Sequence, residues 1–479
     1  MARELVPWRR RVVFMKLSKG DVGLKARVQD VLARLDSHLA TYAIVSFGLL
    51  LRIIVLARVG GRPLYQENTA YYDMGLQLAS GVRFSPYWPP GLPYYLLFFR
   101  TVFGDGILVA RVSILPVYVG FSFVLYGLTR KISSRRAGNL AVLAFALYPS
   151  YIRNAFNPCT EYPAAAGLVA AVYLSILAIR TVSYPLLAAL GLCLGALALV
   201  RPNSLGLAIV APAYLYFRTK RLGLAAVPWL VSALLVSAWL WKAHDLAGRF
   251  VMINDSNAQN FFLSNNPYAP LYNTCPFNPV EWEVPPQLTE MEQAIANRPP
   301  WLQQRIYRQI ALRHILSRPD LFLLRTFNRF RAYFCFPIHH GDPLVRYFHA
   351  AAWRRWLGIG ITILELCFYW PIMILAIVSC FNLRSVRTET RGVVAAMGAA
   401  AIYALPCWLT CSQPRYNFPV IPLFAVLAFA LLDSWHDRSR SEVLEPIMSS
   451  DGRRRAMLLT LAFFVYIQIE WIAIVASSN

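Results

Sequence analysis

Long apolar runs recur along the whole chain, and they constrain its fold more than any other feature. Most have roughly the 20-residue length that a helix needs to cross the hydrocarbon core of a bilayer. Because lipid offers the backbone no hydrogen bonds, such runs are predicted to be helices. The composition agrees, since 57% of the 479 residues are hydrophobic and 15% are charged. The runs are 39–57, 107–129, 137–152, 162–179, 184–199, 203–217, 222–242, 356–380, 392–409, 417–434 and 456–476.

The distribution of basic residues sets the predicted direction of each span. Cytoplasmic loops carry an excess of Lys and Arg, so the basic segment 1–38 is placed in the cytoplasm. The run 89–103 is short and contains Pro93 and Arg100. We interpret it as an interfacial or re-entrant helix, because a full crossing would force the basic loop 130–136 outside. With this choice the sequence predicts an all-α polytopic membrane protein with about eleven transmembrane helices.

This topology divides the chain into four parts. A basic cytoplasmic segment, 1–38, precedes an N-terminal transmembrane module, 39–242, whose outer loops carry acidic residues. The long outer segment 243–355 contains an amphipathic stretch, 302–333, which we expect to be a helix on the membrane surface. C-terminal transmembrane helices follow in 356–479. The predicted location is a bacterial inner (plasma) membrane, with a cytoplasmic N terminus and extracytoplasmic outer loops.

The formal net charge of +23 raises the question of nucleic acid binding. Most basic residues lie in short loops beside the apolar runs, where they indicate topology and contacts with anionic lipids. No surface of aromatic and basic residues stands apart from the membrane segments. We therefore expect membrane lipids as partners and no nucleic acid.

The first outer loop has an acidic residue at the start of a predicted short helix. The pattern from Thr69 to Ala79 favours a helix against the membrane, ended by Gly81. Glu67 stands at its N terminus, where the helix dipole favours a carboxylate. Glu67 is therefore either a helix-start acid or a general base aimed at a substrate. Asp73, further along the same helix, is the rival candidate.

The second outer loop brings another acid to the same predicted face of the membrane. Glu161 opens the next span, with Thr160 at the cap position and Pro163 just inside the helix. Helix capping alone explains this arrangement. Yet Asn154, Asn157, Thr160 and Glu161 together make an unusually polar stretch between apolar spans, so a role in a site stays open.

Two arginines are predicted on this same side. Arg201 precedes Pro202 at a turn between two spans, and Arg415 with Tyr416 lies in a later turn. An arginine at membrane depth is costly and usually marks an anionic partner, although snorkelling to the interface is an equal explanation. Two guanidinium groups suit a phosphate, which they bind bidentately.

The sequence predicts neither a metal nor a cofactor. His339, His340 and Asp342 form the best metal pattern, but adjacent histidines rarely share one ion and the spacing offers no third ligand. Neither short outer loop has an Asp-x-Asp pair, which argues against a divalent cation bridging a diphosphate. The eight cysteines show no metal spacing.

In the order of these motifs the chain resembles the GT-C-type membrane glycosyltransferases of the protein O-mannosyltransferase and lipid A aminoarabinose transferase superfamily. Each motif alone is weak, and the resemblance covers about residues 40–435. The matching positions are Glu67, Tyr71, Leu78 to Gly81, Pro89 to Pro93, Phe103-Gly104, Ala110-Arg111, Thr160 to Pro163, Arg201-Pro202, Asn265 to Pro267, Arg415-Tyr416, Pro419 and Pro422.

The resemblance implies a GT-C-type fold and metal-independent, inverting transfer of a sugar on the outer face of the membrane. The donor would be a polyprenyl-phosphate-linked sugar, and the acceptor a lipid, glycan or protein. Glu67 takes the place of the catalytic base, where the family usually has Asp, often followed by Glu; here Asn68 follows. Glu161 would orient the substrate or its loop. The residues assigned to the donor phosphate are Arg201, Arg415 and Tyr416, and those assigned supporting roles are Tyr71, Asp73, Asn157 and Asn266.

Two other classes of protein remain as alternatives. A polytopic transporter or lipid flippase would also have many spans and buried arginines, but transporters usually place their site near the midplane and show repeat symmetry. Here the polar residues cluster at one face and no repeat is visible. An inactive relative that acts as a structural partner in envelope assembly is the third reading.

Overall fold

The computed structural model describes the backbone of residues 33–61, 64, 66–271, 285–336, 351–383, 390–437 and 440–477. Several positions named above lie outside the described residues: segment 1–32, the side chain of Glu67, and His339, His340 and Asp342. Within the described part every regular element is a helix, which confirms the all-α prediction.

Eight of the described helices are long and apolar enough to cross a membrane. All eight coincide with predicted runs, so the prediction of a multi-pass membrane protein is confirmed. They are His38–Val59, Ile107–Ile132, Glu161–Thr181, Leu222–Ala247, Trp356–Phe381, Arg391–Leu409, Pro414–His436 and Asp451–Ile474.

The other three predicted runs are also helical, but their helices are shorter: Arg135–Leu147, Tyr184–Val200 and Leu205–Thr219. Even the 17-residue Tyr184–Val200 is only about 26 Å long at 1.5 Å per residue, against roughly 30 Å of hydrocarbon. The predicted count of eleven spans is therefore not confirmed, and the direction of each span stays a prediction.

The remaining helices connect or cover the spans. The described chain also has two short 3-10 segments, Pro202–Ser204 and Pro414–Val420. The connecting helices are Gln66–Ser80, Gly91–Phe103, Pro149–Arg153, Ser256–Ser264, Pro286–Ala296, Pro300–Ser317, Pro319–Tyr333 and Arg440–Met448.

The predicted non-crossing run 89–103 forms the helix Gly91–Phe103, which has 13 residues. At 1.5 Å per residue it is about 20 Å long, too short for a typical core, as expected for an interfacial or re-entrant helix. It follows the pair Pro89-Pro90 and ends at Gly104, whose φ of 89° an L-residue rarely adopts.

The amphipathic stretch 302–333 is two helices rather than one, so that prediction is wrong in one respect. Pro300–Ser317 ends at Arg318 and Pro319–Tyr333 begins directly after it. Proline disfavours the α conformation at the residue before it, and Arg318 has φ −137° and ψ 64°. The helical periodicity continues across this break, which is why it suggested a single element.

A cluster of aromatic side chains forms the core where the second outer loop meets the late spans. The Tyr151 ring stacks on Phe418 with 3.9 Å between centroids and meets the edge of Phe145 at 4.5 Å. Phe121 and Tyr162 complete the cluster. It joins the helix Pro149–Arg153 to the 3-10 segment Pro414–Val420, the two elements that border the candidate site.

Candidate active site

Arg201 lies at the centre of the polar residues that the sequence singled out. Its side chain donates from Nε to Thr160 Oγ1 at 3.0 Å and forms an ion pair with Glu161. The side chains of Arg201 and Glu161 are only 11% and 13% exposed. The sequence explains the local backbone, because Pro202 disfavours the α conformation at Arg201, which has an extended φ of −141° and ends the helix Tyr184–Val200.

Arg415 and Tyr416 approach Arg201 from the 3-10 segment Pro414–Val420. The Tyr416 ring has the Arg201 guanidinium carbon 5.5 Å from its centroid and the Arg415 guanidinium carbon at 5.6 Å. Both distances are within the range of cation–π attraction. The structure therefore brings both predicted arginines to one tyrosine, and both interact electrostatically with Glu161.

A fourth element contributes a residue that the sequence did not indicate. Tyr403, in the span Arg391–Leu409, places its hydroxyl 3.5 Å from Arg201 Nη1. In the sequence it is one aromatic residue among many in an apolar run, so no signal marked it.

The first-loop helix Gln66–Ser80 packs against the second outer loop. Asn68, which is 6% exposed, donates from Nδ2 to the carbonyl of Pro158 at 3.0 Å. Tyr71 is buried, with its ring 5.1 Å from that of Trp88, and it interacts electrostatically with Arg201. Glu67 is the second residue of this helix, adjacent to Asn68. The backbone thus places the proposed base beside the loop that carries Glu161.

The remaining supporting residues differ in where they lie. Asn157 is 8% exposed, and its Oδ1 has no hydrogen-bond partner among the residues that the structure describes. Asp73 is exposed on the first-loop helix. Asn266 is fully buried in the outer segment, where its side-chain amide donates to Phe262 O at 3.0 Å and its Oδ1 accepts from Tyr268 N at 2.8 Å. Its side chain stabilises a turn and is not brought to Arg201 by any of these bonds.

The two guanidinium groups of this cluster are suited to bind an anion. Arg201 and Arg415 both interact electrostatically with the Glu161 carboxylate, and Arg201 forms an ion pair with it. Burial strengthens the attraction between a cation and a ligand of opposite charge. Next to Glu161, burial first and the Glu161 charge second raise the pKa of the Cys159 thiol, so this cysteine stays protonated.

Among the described residues, no group of three or more His, Cys, Asp or Glu side chains could hold a metal ion. Glu161 is the carboxylate that the described side chains bring to Arg201, and one carboxylate alone is a poor donor set for a divalent cation.

No protein-family model and no curated protein matches the sequence. Among solved structures, the chain is similar to the Archaeoglobus fulgidus oligosaccharyltransferase crystallised with Zn and sulfate, at 16% identity and a TM-score of 0.45 over 91% of this chain and 53% of that one. It is also similar to the archaeal oligosaccharyltransferase AglB from Archaeoglobus fulgidus in complex with an inhibitory peptide and a dolichol-phosphate, at 14% identity and a TM-score of 0.47 over 91% of this chain and 56% of that one.

These neighbours are GT-C-type glycosyltransferases, the class that the sequence resembles. The chain spans about half the length of the solved chains it matches. At this level of similarity the comparison concerns the arrangement of helices, and the function is argued from the site.

Proposed function

We propose that the protein is a membrane glycosyltransferase that moves a sugar, with inversion, from a polyprenyl-phosphate-linked donor to an acceptor on the outer face of the membrane. The observation that supports this best is the convergence of Arg201 and Arg415 on Tyr416, with Glu161 and Thr160 holding Arg201 in place.

Two partly buried guanidinium groups suit the phosphate of such a donor. Arginine presents a planar fork of donors that matches two phosphate oxygens. When the glycosidic bond breaks, its electron pair goes to the phosphate oxygen, and the arginines stabilise the charge that develops there. Thr160 and Glu161 fix the direction of Arg201, so little reorganisation is needed during the reaction.

The proposed roles of the two acids differ. Glu161 is occupied by Arg201, which favours a positioning role over proton transfer. Glu67 takes the role of base: as the acceptor oxygen bonds to the anomeric carbon, its proton passes to the Glu67 carboxylate. A base must lie within hydrogen-bond reach of the acceptor. The contact of Asn68 with Pro158 anchors the helix of Glu67 beside the Arg201 cluster.

The other parts of the proposal follow from this chemistry. The donor is a lipid, so it reaches the site from the bilayer, and the acceptor is a lipid, glycan or protein. We place the site extracytoplasmically, in a bacterial inner membrane with the N terminus in the cytoplasm, on the distribution of basic loops.

The test is transfer by the purified protein in lipid nanodiscs. Polyprenyl-phosphate sugars carrying labelled sugars are supplied with a membrane extract as the acceptor source, and release of polyprenyl phosphate is measured. We expect turnover by the wild-type protein and a loss of about 10²–10⁴-fold in Glu67→Gln, the usual contribution of a general base. Gln77→Ala, on the exposed part of the same helix, is the control and keeps wild-type activity. Retained turnover in Glu67→Gln excludes Glu67 as the base.

The same experiment separates transfer from lipid movement. A flippase would change the leaflet of the lipid without releasing its sugar. If donor crosses the bilayer and no sugar is released with any acceptor fraction, the glycosyltransferase proposal is wrong. Dolichol-phosphate, which the AglB structure contains, is a suitable probe for binding to the arginines without chemistry.

A further inference from the structure

We propose that Glu365 is a positioning residue, which holds the second outer loop in the geometry that the Arg201 site needs. Glu365 belongs to the span Trp356–Phe381 and is 1% exposed. A carboxylate buried in a transmembrane helix is expensive and is retained where it has a partner and a use. No step of the proposed glycosyl transfer uses Glu365 directly. The role inferred for Glu365 nevertheless rests on that proposed function.

The partner of Glu365 is the N terminus of the short helix Pro149–Arg153. Its carboxylate accepts from the backbone N–H of Ser150 at 3.1 Å and from Ser150 Oγ at 2.7 Å. The first N–H groups of a helix have no partner within the helix, and a carboxylate there is also favoured by the helix dipole. Arg153, in the last turn of the same helix, interacts electrostatically with Glu365 as well.

This short helix leads directly into the second outer loop. The loop carries Asn157, Thr160 and Glu161, and it receives the Asn68 contact at Pro158. With five residues, the helix Pro149–Arg153 is too short to be stable alone. Its orientation therefore depends on what holds its two ends, and Glu365 holds the first.

The helix Pro149–Arg153 also contacts the 3-10 segment Pro414–Val420. Tyr151 donates its hydroxyl to the carbonyl of Phe418 at 2.5 Å while its ring stacks on Phe418. Phe418 belongs to the 3-10 segment that carries Arg415 and Tyr416. A displacement of this helix would therefore move Thr160 and Glu161, which accept hydrogen bonds from Arg201. It would also move the 3-10 segment that carries Arg415.

The first experiment needs no substrate and uses two native cysteines. Cys159 lies in the second outer loop, whereas Cys193 lies in the helix Tyr184–Val200; both are partly exposed thiols. The full-length protein in nanodiscs is treated with N-ethylmaleimide, and labelling of each cysteine is followed by mass spectrometry. Labelling reports local opening, and loss of the carboxylate in Glu365→Leu should accelerate it at Cys159 by about tenfold or more. Glu365→Gln retains one acceptor oxygen, so its labelling rate at Cys159 should lie between those of the wild type and Glu365→Leu.

The control variant is Ser379→Ala, a buried position on the same span, and it should leave both cysteines unchanged. Faster labelling of Cys159 with constant labelling of Cys193 supports the proposal. An unchanged labelling rate at Cys159 overturns the proposal. An equal rise at Cys159 and Cys193 also overturns it, because it means that the whole protein has loosened.

A second experiment connects the position of the loop to turnover. If Glu365 acts through the loop, Glu365→Gln lowers kcat about tenfold, and its effect disappears in a Glu161→Gln background. Additive effects in the double variant contradict the proposal. Absence of turnover in the wild-type protein would instead count against the proposed function, while the cysteine experiment still tests Glu365.

Discussion

Two pairs of arginines, the partly buried Arg201 with Arg415 and the buried Arg325 with Arg329, differ in their surroundings and in the groups that accept their hydrogen bonds. Arg201 is held by side chains: the Thr160 hydroxyl, the Glu161 carboxylate and the Tyr403 hydroxyl. In the outer segment, Arg325 and Arg329 donate chiefly to backbone carbonyls. Their acceptors are Asn266 O and Ala269 O for Arg325, and Leu409 O, Ser264 O and Asn265 Oδ1 for Arg329.

The difference in acceptors indicates a difference in use. A carbonyl in a folded turn cannot move without changing the chain, so an arginine bound to several carbonyls stabilises structure. Side-chain acceptors can rotate and share their arginine with an incoming anion. Burial lowers the pKa of Arg329 to about 10. Burial also opposes the charged form of Arg201, but Glu161 together with Tyr403, Tyr71 and Tyr416 outweighs it and raises the pKa of Arg201.

The largest expected effect is on catalysis, at Arg201. Replacing it with Ala removes the group proposed to stabilise the leaving phosphate, so kcat/KM for the polyprenyl-phosphate sugar should fall about 10²–10³-fold. Arg313→Ala, on the exposed side of the helix Pro300–Ser317, is the control and should keep wild-type kinetics. Equal kcat/KM values in Arg201→Ala and Arg313→Ala would show that Arg201 has no catalytic role. The two arginine pairs would then not differ in use.

The second effect is on stability, at Arg329. Leu in its place leaves buried acceptors at Ser264, Asn265 and Leu409 without a donor, at about 1–3 kcal/mol for each unsatisfied group. The midpoint of thermal unfolding in nanodiscs should fall by several degrees, while turnover per folded molecule stays within about threefold of the wild type. Normal stability combined with lost turnover would place Arg329 in the site instead.

A smaller effect is expected from Arg415→Lys. Lysine keeps the charge but loses the planar fork and the stacking on Tyr416, so the KM for the donor should rise about tenfold with kcat nearly unchanged. The same exchange at Arg331, which lies over Tyr466 on a different span, is the matched control. A change in kcat alone would indicate that the planar fork of Arg415 makes no contribution to donor binding.

The smallest effect concerns His314, whose ring nitrogen lies 3.0 Å from Arg325 Nη1. Burial and the neighbouring Arg325 lower its pKa from 6.5. A depressed pKa means that the folded state binds the proton less well than the unfolded state. Stability is therefore complete above pH 6.5 and decreases as the pH falls through the lowered value. Hydrogen exchange at Asn266 to Ala269 should quicken modestly below pH 6.5 in the wild type and show no pH effect in His314→Gln beyond intrinsic exchange.

Much of the fold could be predicted because its signal is local. Apolar length alone located the eight long helices, and Gly81 marked the end of the first-loop helix, where its φ is 69°. The count of spans could not be settled this way, because Arg135–Leu147 and Leu205–Thr219 are apolar yet short. The break at Pro319 was readable in principle, since proline restricts the residue before it, but the continuing periodicity concealed it.

The candidate site was predictable only in part, for a physical reason. Glu161, Arg201, Arg415 and Tyr416 stand at the ends of apolar runs, where polar residues are conspicuous. Tyr403 and Glu365 come to the site or its support from within spans, by the packing of distant helices. The lone acid in the apolar run 356–380 is nevertheless a usable signal for a functional or supporting residue.

The hydrogen bond from Asn68 to Pro158 has a consequence for engineering this protein. The resembled family usually has Asp and then Glu where this chain has Glu67 and Asn68. An amide can donate to the Pro158 carbonyl, whereas an ionised glutamate can only accept and would set two oxygens against each other. Restoring the family's pair here therefore changes the docking contact as well as the base, and a substitution of Pro158 would not relieve it, because the acceptor is a backbone carbonyl that every residue type presents.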